Sequence, residues 1–318
     1  MSARRTITVL GATGRQGGSV AAAALAEPDG AFAVRAVTRH PESAAARALQ
    51  REGAEVVRAD LDDPPSLERA FDGAYGAYLV TNFWEHMSAD REQAQAKALA
   101  LAAEHAGLQH AVWSTLEDTR DCIPLDDDRM PTLQGRFKVP HFDGKAEADR
   151  YFTDAGVPTT FLRLTFYWEN LLGPFHPQRG EDGALRLVLP MGTSRLAGIA
   201  VQDVGRTALA ILRRGTDLIG ATVSIAGEAL TLTEMAAAMT TALGEPVTYR
   251  PLTPDAFRAQ DFPGAQEAGN MFQYYADCER RFLAPRDPAS VRLLDPQLQD
   301  FGDWLTAHRA ELRAALAD

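Results

Sequence analysis

The chain has 318 residues, 46% hydrophobic and 24% charged, a size and composition that suit roughly two globular domains and argue against disorder. Its 32 Lys and Arg face 43 Asp and Glu, a formal charge of −11, which repels phosphate backbones and anionic lipids and so argues against direct nucleic-acid binding and against a membrane surface. No run approaches the ~18 apolar residues of a membrane span. With two cysteines, Cys122 and Cys278, and seven histidines scattered without ligand spacing, no metal site is expected and disulfide scaffolding is excluded. The amino terminus passes at once into the short apolar run 6–10, too short for a signal peptide, which makes the cytoplasm the expected compartment.

Residues 1–165 alternate short β-branched runs with helical stretches. Strands are expected at 6–10, 34–38, 55–59, 77–81, 110–114 and 159–164, with helices at 16–26, 41–52, 66–71, 89–105 and 142–155. That order predicts an α/β fold with a Rossmann-type, doubly wound parallel sheet. The irregular stretch 116–140, with its prolines and three consecutive aspartates, reads as a loop over the sheet edge, of a length often used for a lid. Beyond residue 165 the alternation fades and a second, smaller α+β domain is expected. A helix over 201–214, with Asp203 in its first turn, and a strand near 221–225 would return to the first domain. Helices are expected over 231–243, 253–260 and 299–316. The predicted organisation is therefore a dinucleotide-binding domain of residues 1–165 with 200–226 returning to it, and a smaller domain of 166–199 and 227–318 covering the nicotinamide side.

The first strand runs into Gly11, Ala12, Thr13, Gly14, Arg15, Gln16, Gly17 and Gly18, followed by a helix. Glycines allow a tight turn and close approach of a pyrophosphate, whose charge then sits on the open N–H groups of the helix start. The spacing is GxxGxxG, and the strand before it and the helix after it supply the context that a glycine triplet alone lacks. An acidic residue at the end of the second strand would select NAD through the adenosine ribose. This chain has Arg39 there, which can clamp a 2′-phosphate, and Arg15 offers a second cation, so NADP(H) is the expected cofactor. The competing reading makes Arg39 a solvated helix start partly neutralised by Glu42.

Many dinucleotide-binding proteins of this design carry Tyr-x-x-x-Lys on the fifth helix. Here the stretch is His141-Phe142-Asp143-Gly144-Lys145, so the spacing of the pair survives on one helical face while the proton donor has changed. Ser114, at the end of the fifth strand, stands where a serine polarises a substrate carbonyl. Ser114, His141 and Lys145 are therefore the candidate catalytic set. His141 can serve as general acid or base, or it packs near the cofactor with the tyrosine's role abandoned; Lys145 can hold the nicotinamide ribose in either case.

Taken together, 11–18, Arg39, Thr81-Asn82-Phe83-Trp84-Glu85, the 141–145 stretch, Tyr167-Trp168-Glu169-Asn170-Leu171-Leu172, Phe262-Pro263-Gly264-Ala265 and Asn270-Met271-Phe272 resemble the NmrA-like family, most closely the HSCARG-type branch of the atypical short-chain dehydrogenase/reductases. The resemblance runs from about residue 5 to the carboxyl end. It implies a Rossmann domain that binds NADP(H) and senses the NADPH/NADP ratio rather than acting as an established dehydrogenase. It also implies that Gly11 to Gln16 hold the pyrophosphate, Arg39 the 2′-phosphate, and Asp60 and Leu61 the flanks of the adenine. Thr81, Asn82 and Phe83 would line the nicotinamide side, Lys145 would contact the nicotinamide ribose, and Tyr167, Trp168, Glu169 and Asn170 would close over the nicotinamide. Relatives of the animal branch have basic residues where Glu42 and Ser43 stand, and a lysine in place of Ala94; Arg15 can compensate for the first loss.

Two functions follow. One is a redox regulator whose conformation or assembly follows nucleotide occupancy, with a nicotinamide dinucleotide as ligand and a regulatory protein or a second copy of the chain as candidate partner. The other is an NADPH-dependent reductase of a quinone or similar apolar carbonyl compound, its pocket lined by Phe83, Trp84, Tyr167, Trp168, Phe272, Tyr274 and Tyr275, although aromatics of a small domain also build its core. A sugar-nucleotide epimerase would need the tyrosine this chain lacks.

Overall fold

Strands covered by helices on both sides are apolar on both faces, and the β-branched runs of the first half fold accordingly into parallel neighbours. The computed structural model describes residues 4–27 and 30–316; residues 1–3, part of the amino-terminal reading above, lie outside the described residues. The first elements are β1 (Arg5–Val9), α1 (Arg15–Leu25), β2 (Phe32–Thr38), α2 (Ala44–Arg51), β3 (Glu55–Arg58), α3 (Pro64–Phe71), β4 (Gly76–Leu79), α4 (Ala89–His105), β5 (His110–Thr115), α5 (Pro140–Asp154) and β6 (Thr159–Arg163). There follow β7 (Phe166–Tyr167), β8 (Gln178–Arg179), β9 (Leu185–Leu189), β10 (Arg195–Ile199), α6 (Val201–Arg214), β11 (Thr222–Ser224), β12 (Glu228–Thr231), α7 (Leu232–Leu243) and β13 (Val247–Pro251). The chain ends with α8 (Pro254–Arg258), α9 (Ala265–Asp277), α10 (Glu279–Leu283), α11 (Pro288–Arg292), α12 (Phe301–Ala307) and α13 (Arg309–Ala315). No described helix is long and apolar enough to cross a membrane.

The chain divides into two compact units. The first comprises the chain up to Asp118, His141–Leu164 and Val201–Ser224. Its seven strands form one parallel sheet in the order β11-β6-β5-β4-β1-β2-β3, the doubly wound Rossmann-type architecture that the alternation predicts. The register sets Ile7 beside Val34 and Gly76, and His110 beside Gly76. On one side of the sheet, α5 packs Phe152 against the fully buried ring of Trp113 at 4.8 Å between centroids, each such burial being worth roughly 1.5–3 kcal/mol. On α6, Gly205 lets the helix approach α1, since a Cβ there would lie 2.3 Å from the Ser19 carbonyl oxygen. Asp203, in the first turn of α6, is buried and paired with Arg206.

The second unit comprises Thr119–Pro140, Thr165–Ala200 and the chain from Ile225. It holds two three-stranded sheets, ordered β12-β10-β7 and β13-β9-β8. Its core is aromatic: Phe166, Phe175, Phe257 and Phe272 pack edge to face and tilted. The expected helix over 299–316 is two helices with the chain turning at His308, and α9 was not expected from the sequence at all.

Two expectations change in this unit. Cys122 and Cys278 are joined in a disulfide, so its exclusion does not hold. The partners are 156 residues apart in the chain, a separation at which residue spacing carries no sign that the loop folds back onto the end of α9. The loop itself is tied down, since residues 119–140 belong to this unit. Asn270 donates to the carbonyls of Pro131 at 2.9 Å and Lys138 at 2.6 Å, Gln273 to that of Arg129 at 2.9 Å, and Arg281 bonds Asp121.

Candidate functional site

In the central sheet β1 lies between β2 and β4, the point where strand order reverses and where such sheets bind ligands beyond their carboxyl ends. The glycine turn sits there. Gly11 has φ +60°, and a Cβ on Gly17 would lie 2.1 Å from the Leu10 carbonyl oxygen and 2.5 Å from that of Gly11, so the turn folds tightly onto the start of α1 only with glycine. Gly14 caps α1 without a side-chain hydrogen bond, and the first turn carries no acidic residue; by contrast Ser43 caps α2 and Ser88 caps α4 with their hydroxyls. The amide ends of α1 therefore face the turn without a side-chain anion in the first turn, an arrangement suited to a phosphate.

The turn also meets the end of β2: the Ala12 N–H donates to the Val37 carbonyl at 3.2 Å, and the Thr13 and Thr38 hydroxyls lie 3.4 Å apart. Arg39 follows at once. Its partner is Glu85, from the single-turn helix Phe83–Glu85 after β4, whereas Glu42, which the competing reading set against Arg39, lies beside His40 instead. Arg15 is exposed at the first position of α1. Asp60 accepts from the Asp62 N–H at 3.0 Å and its own N–H donates to Ser66 at 2.9 Å, while Leu61 packs in part against the core of the unit.

Beneath the turn, the Gln16 carboxamide oxygen accepts from Tyr78 at 2.7 Å and from Ser114 at 2.8 Å. Ser114 thus hydrogen-bonds an amide of α1, and the buried Tyr78, its phenol pushed up by desolvation, joins a cluster that sequence reasoning missed. Lys145 is buried too. Its ammonium donates to the Thr81 hydroxyl at 2.7 Å and carbonyl at 3.2 Å and pairs with Glu92 at 3.0 Å, and the Thr81 hydroxyl donates to Glu92 at 2.8 Å. Glu92 is wholly buried, and its second carboxylate oxygen has no hydrogen-bond partner.

One turn before Lys145 on α5, the buried His141 ring lies 5.0 Å from Trp84 and 5.6 Å from Phe83. Trp84 is 46% exposed, so an aromatic surface borders the histidine. Asn82 is exposed, and Phe83 is buried. In the second unit, Trp168 packs on Phe301 and Trp304 and Glu169 accepts from the Trp304 indole N–H at 3.2 Å. The Trp168 ring therefore serves the core of its own unit, and Tyr167 and Asn170 flank this pair as half-buried residues.

One turn after Lys145, Asp149 accepts from Thr115 at 2.6 Å and from Trp113 at 2.9 Å. Burial pushes its carboxyl up to about 6, against the pull of these hydrogen bonds and of Arg163 and Lys145. A carboxyl raised in the fold above its unfolded value of ~3.9 contributes stability that is full below that value and lost as pH rises through the folded one. Asp149→Asn keeps the acceptor oxygen and removes the charge. Its stability relative to the parent chain, read from hydrogen exchange of the β5 amides, is expected to improve by on the order of 1–3 kcal/mol between pH 4 and pH 7.5; an unchanged difference across that range would refute the assignment.

The sequence profile of the NmrA-like family matches residues 3–305. The chain belongs to that family. Within the NmrA-like family, the oxidoreductase FrzB of Cladobotryum sp is 27% identical over 303 residues, covering 88% of this chain and 86% of FrzB. Among solved structures, Nmra, a negative transcriptional regulator in complex with NADP, matches at TM-score 0.80 and 24% identity over 98% of both chains. The NADPH-dependent quinone oxidoreductase of Escherichia coli matches at TM-score 0.71 and 23% identity over 95% of this chain and 98% of that one. These structures share the NmrA-like fold with this chain.

Proposed function

We propose that this NmrA-like chain binds NADP(H) and acts as a redox-responsive regulator with little dehydrogenase activity of its own. The observation that carries the reading is the glycine turn at the strand-order reversal, with a glycine-capped α1 and with Arg39 beside it. The residues fit the group: Gly11 to Gly17 would receive the pyrophosphate, Arg15 and Arg39 the 2′-phosphate, Asp60 and Leu61 would flank the adenine, and Thr81 to Phe83 with Lys145 would border the nicotinamide and its ribose. When bound, the dinucleotide supplies a hydride donor or acceptor. Around it the protein's own groups are occupied, Ser114 with Gln16 and Lys145 with Thr81 and Glu92, which supports binding over turnover. A nucleotide acts as a signal only through its different affinity for two states of the protein, whether these differ in partner binding or in self-association.

A second reading, an NADPH-dependent reductase of a quinone or similar apolar carbonyl compound, is favoured by the half-exposed Trp84 against His141. Titration calorimetry with NADPH, NADP, NADH and NAD, followed by NADPH oxidation with a quinone panel, separates the two. Binding without turnover supports the regulator; robust turnover that falls when His141 is changed to Phe supports the reductase. Arg39→Ala is expected to weaken NADP at least tenfold while changing NAD little, as removal of a charge-assisted phosphate contact should. An unchanged preference would remove Arg39 from the 2′-phosphate site.

A further inference from the structure

An acidic side chain missing from the end of β2 is restored there by the fold. Arg39 is held by Glu85, although the two are 46 residues apart, because the single-turn helix after β4 carries the carboxylate across to the strand end. Both side chains remain accessible, at 48% and 43% exposure, so a ligand arriving at the glycine turn can reach either one. The Arg39 guanidinium has no charged partner but Glu85 among the described residues.

We propose that Arg39 and Glu85 form a selector for the adenosine 2′ position, Arg39 serving a 2′-phosphate and Glu85 a 2′-hydroxyl, with Glu85 holding the preference for NADP below what Arg39 alone would give. The inference rests on the dinucleotide-binding reading above. A 2′-phosphate must draw Arg39 away from Glu85 or accept the carboxylate as a close neighbour of like charge. Either requirement penalises NADP and leaves NAD untouched. A free 2′-hydroxyl is a donor that a carboxylate receives well, the role acidic residues have in NAD-selective sites. The chain therefore presents Arg39 and the carboxylate paired with it to the same ligand position.

The test is titration calorimetry of the full chain and of Glu85→Gln with NADP and NAD at low salt, with matched thermal melts as the folding control. Glu85→Gln is expected to raise the ratio of NADP to NAD affinity by about three- to tenfold, the size expected of a half-exposed charge, and the rise should shrink in 0.5 M salt. A ratio that changes less than threefold at low salt, with the parent chain binding NADP, overturns the selector and leaves the dinucleotide reading intact. A parent chain that binds neither nucleotide overturns both.

Discussion

Replacing Glu92 by leucine is expected to cost the first unit about 3–5 kcal/mol, the penalty for stranding a buried charge. Glu92 is fully buried and the Lys145 side chain is 9% exposed, so water cannot replace the lost partner. Thr81 would still accept from the ammonium, but a hydroxyl and a carbonyl offer no countercharge. Lys145→Met is expected to cost a similar amount by stranding the carboxylate, one of whose oxygens already lacks a partner. The double variant leaves no buried charge and should recover much of the loss, giving a coupling of about 2 kcal/mol or more in a double-mutant cycle. Because the chain has two units, a single unfolding curve mixes them. Hydrogen exchange of the β4 and β5 amides reports on the unit concerned. A single Glu92→Leu variant within 1 kcal/mol of the parent chain there would show that the pair is solvated and that Lys145 is free to serve a ribose unaided.

Glu92 also shows where sequence reading stops. The central sheet was legible because period and context agree: β-branched runs and helices alternate in order, a glycine turn marks the first such step, and α4 and α6 fall on the expected residues. Glu92 sits in a helix that buries glutamine and glutamate beside alanine, so its polarity signals solvent when the fold buries it. Glu85 and Tyr78 were similarly silent, since each matters through a contact with a distant strand end or helix start. The smaller sheets of the second unit are built from strands as short as two residues, below what alternation can register. α9 is capped by Gly264 with φ +86° and buries Asn270 and Gln273, because these side chains bond the 119–140 loop and Arg258 rather than water. Its helical period was therefore masked by residues that usually mark an exposed face.

Reduction of the Cys122–Cys278 bond is expected to destabilise the second unit by about 2–4 kcal/mol, since cross-linking residues far apart in the chain removes much of the unfolded state's freedom. For a unit of this size that corresponds to a fall in Tm of roughly 5–15 °C. The contacts alongside cannot make up the difference. The Arg281–Asp121 pair is more than half exposed, and such pairs contribute ~0–1 kcal/mol. The bonds from Asn270 and Gln273 into the loop are buried or partly buried, yet they hold only while the loop is in place. Thermal melts with and without a dithiol reductant, read beside hydrogen exchange of the 119–140 amides, test this directly. The loop amides should lose protection first, because the disulfide is the one covalent tie between that segment and α9. A Cys122→Ser, Cys278→Ser double variant should melt like the reduced chain and ignore the reductant. A Tm shift below 2 °C on reduction, or an equal shift in the double variant, would mean that the noncovalent contacts of α9 hold the loop by themselves.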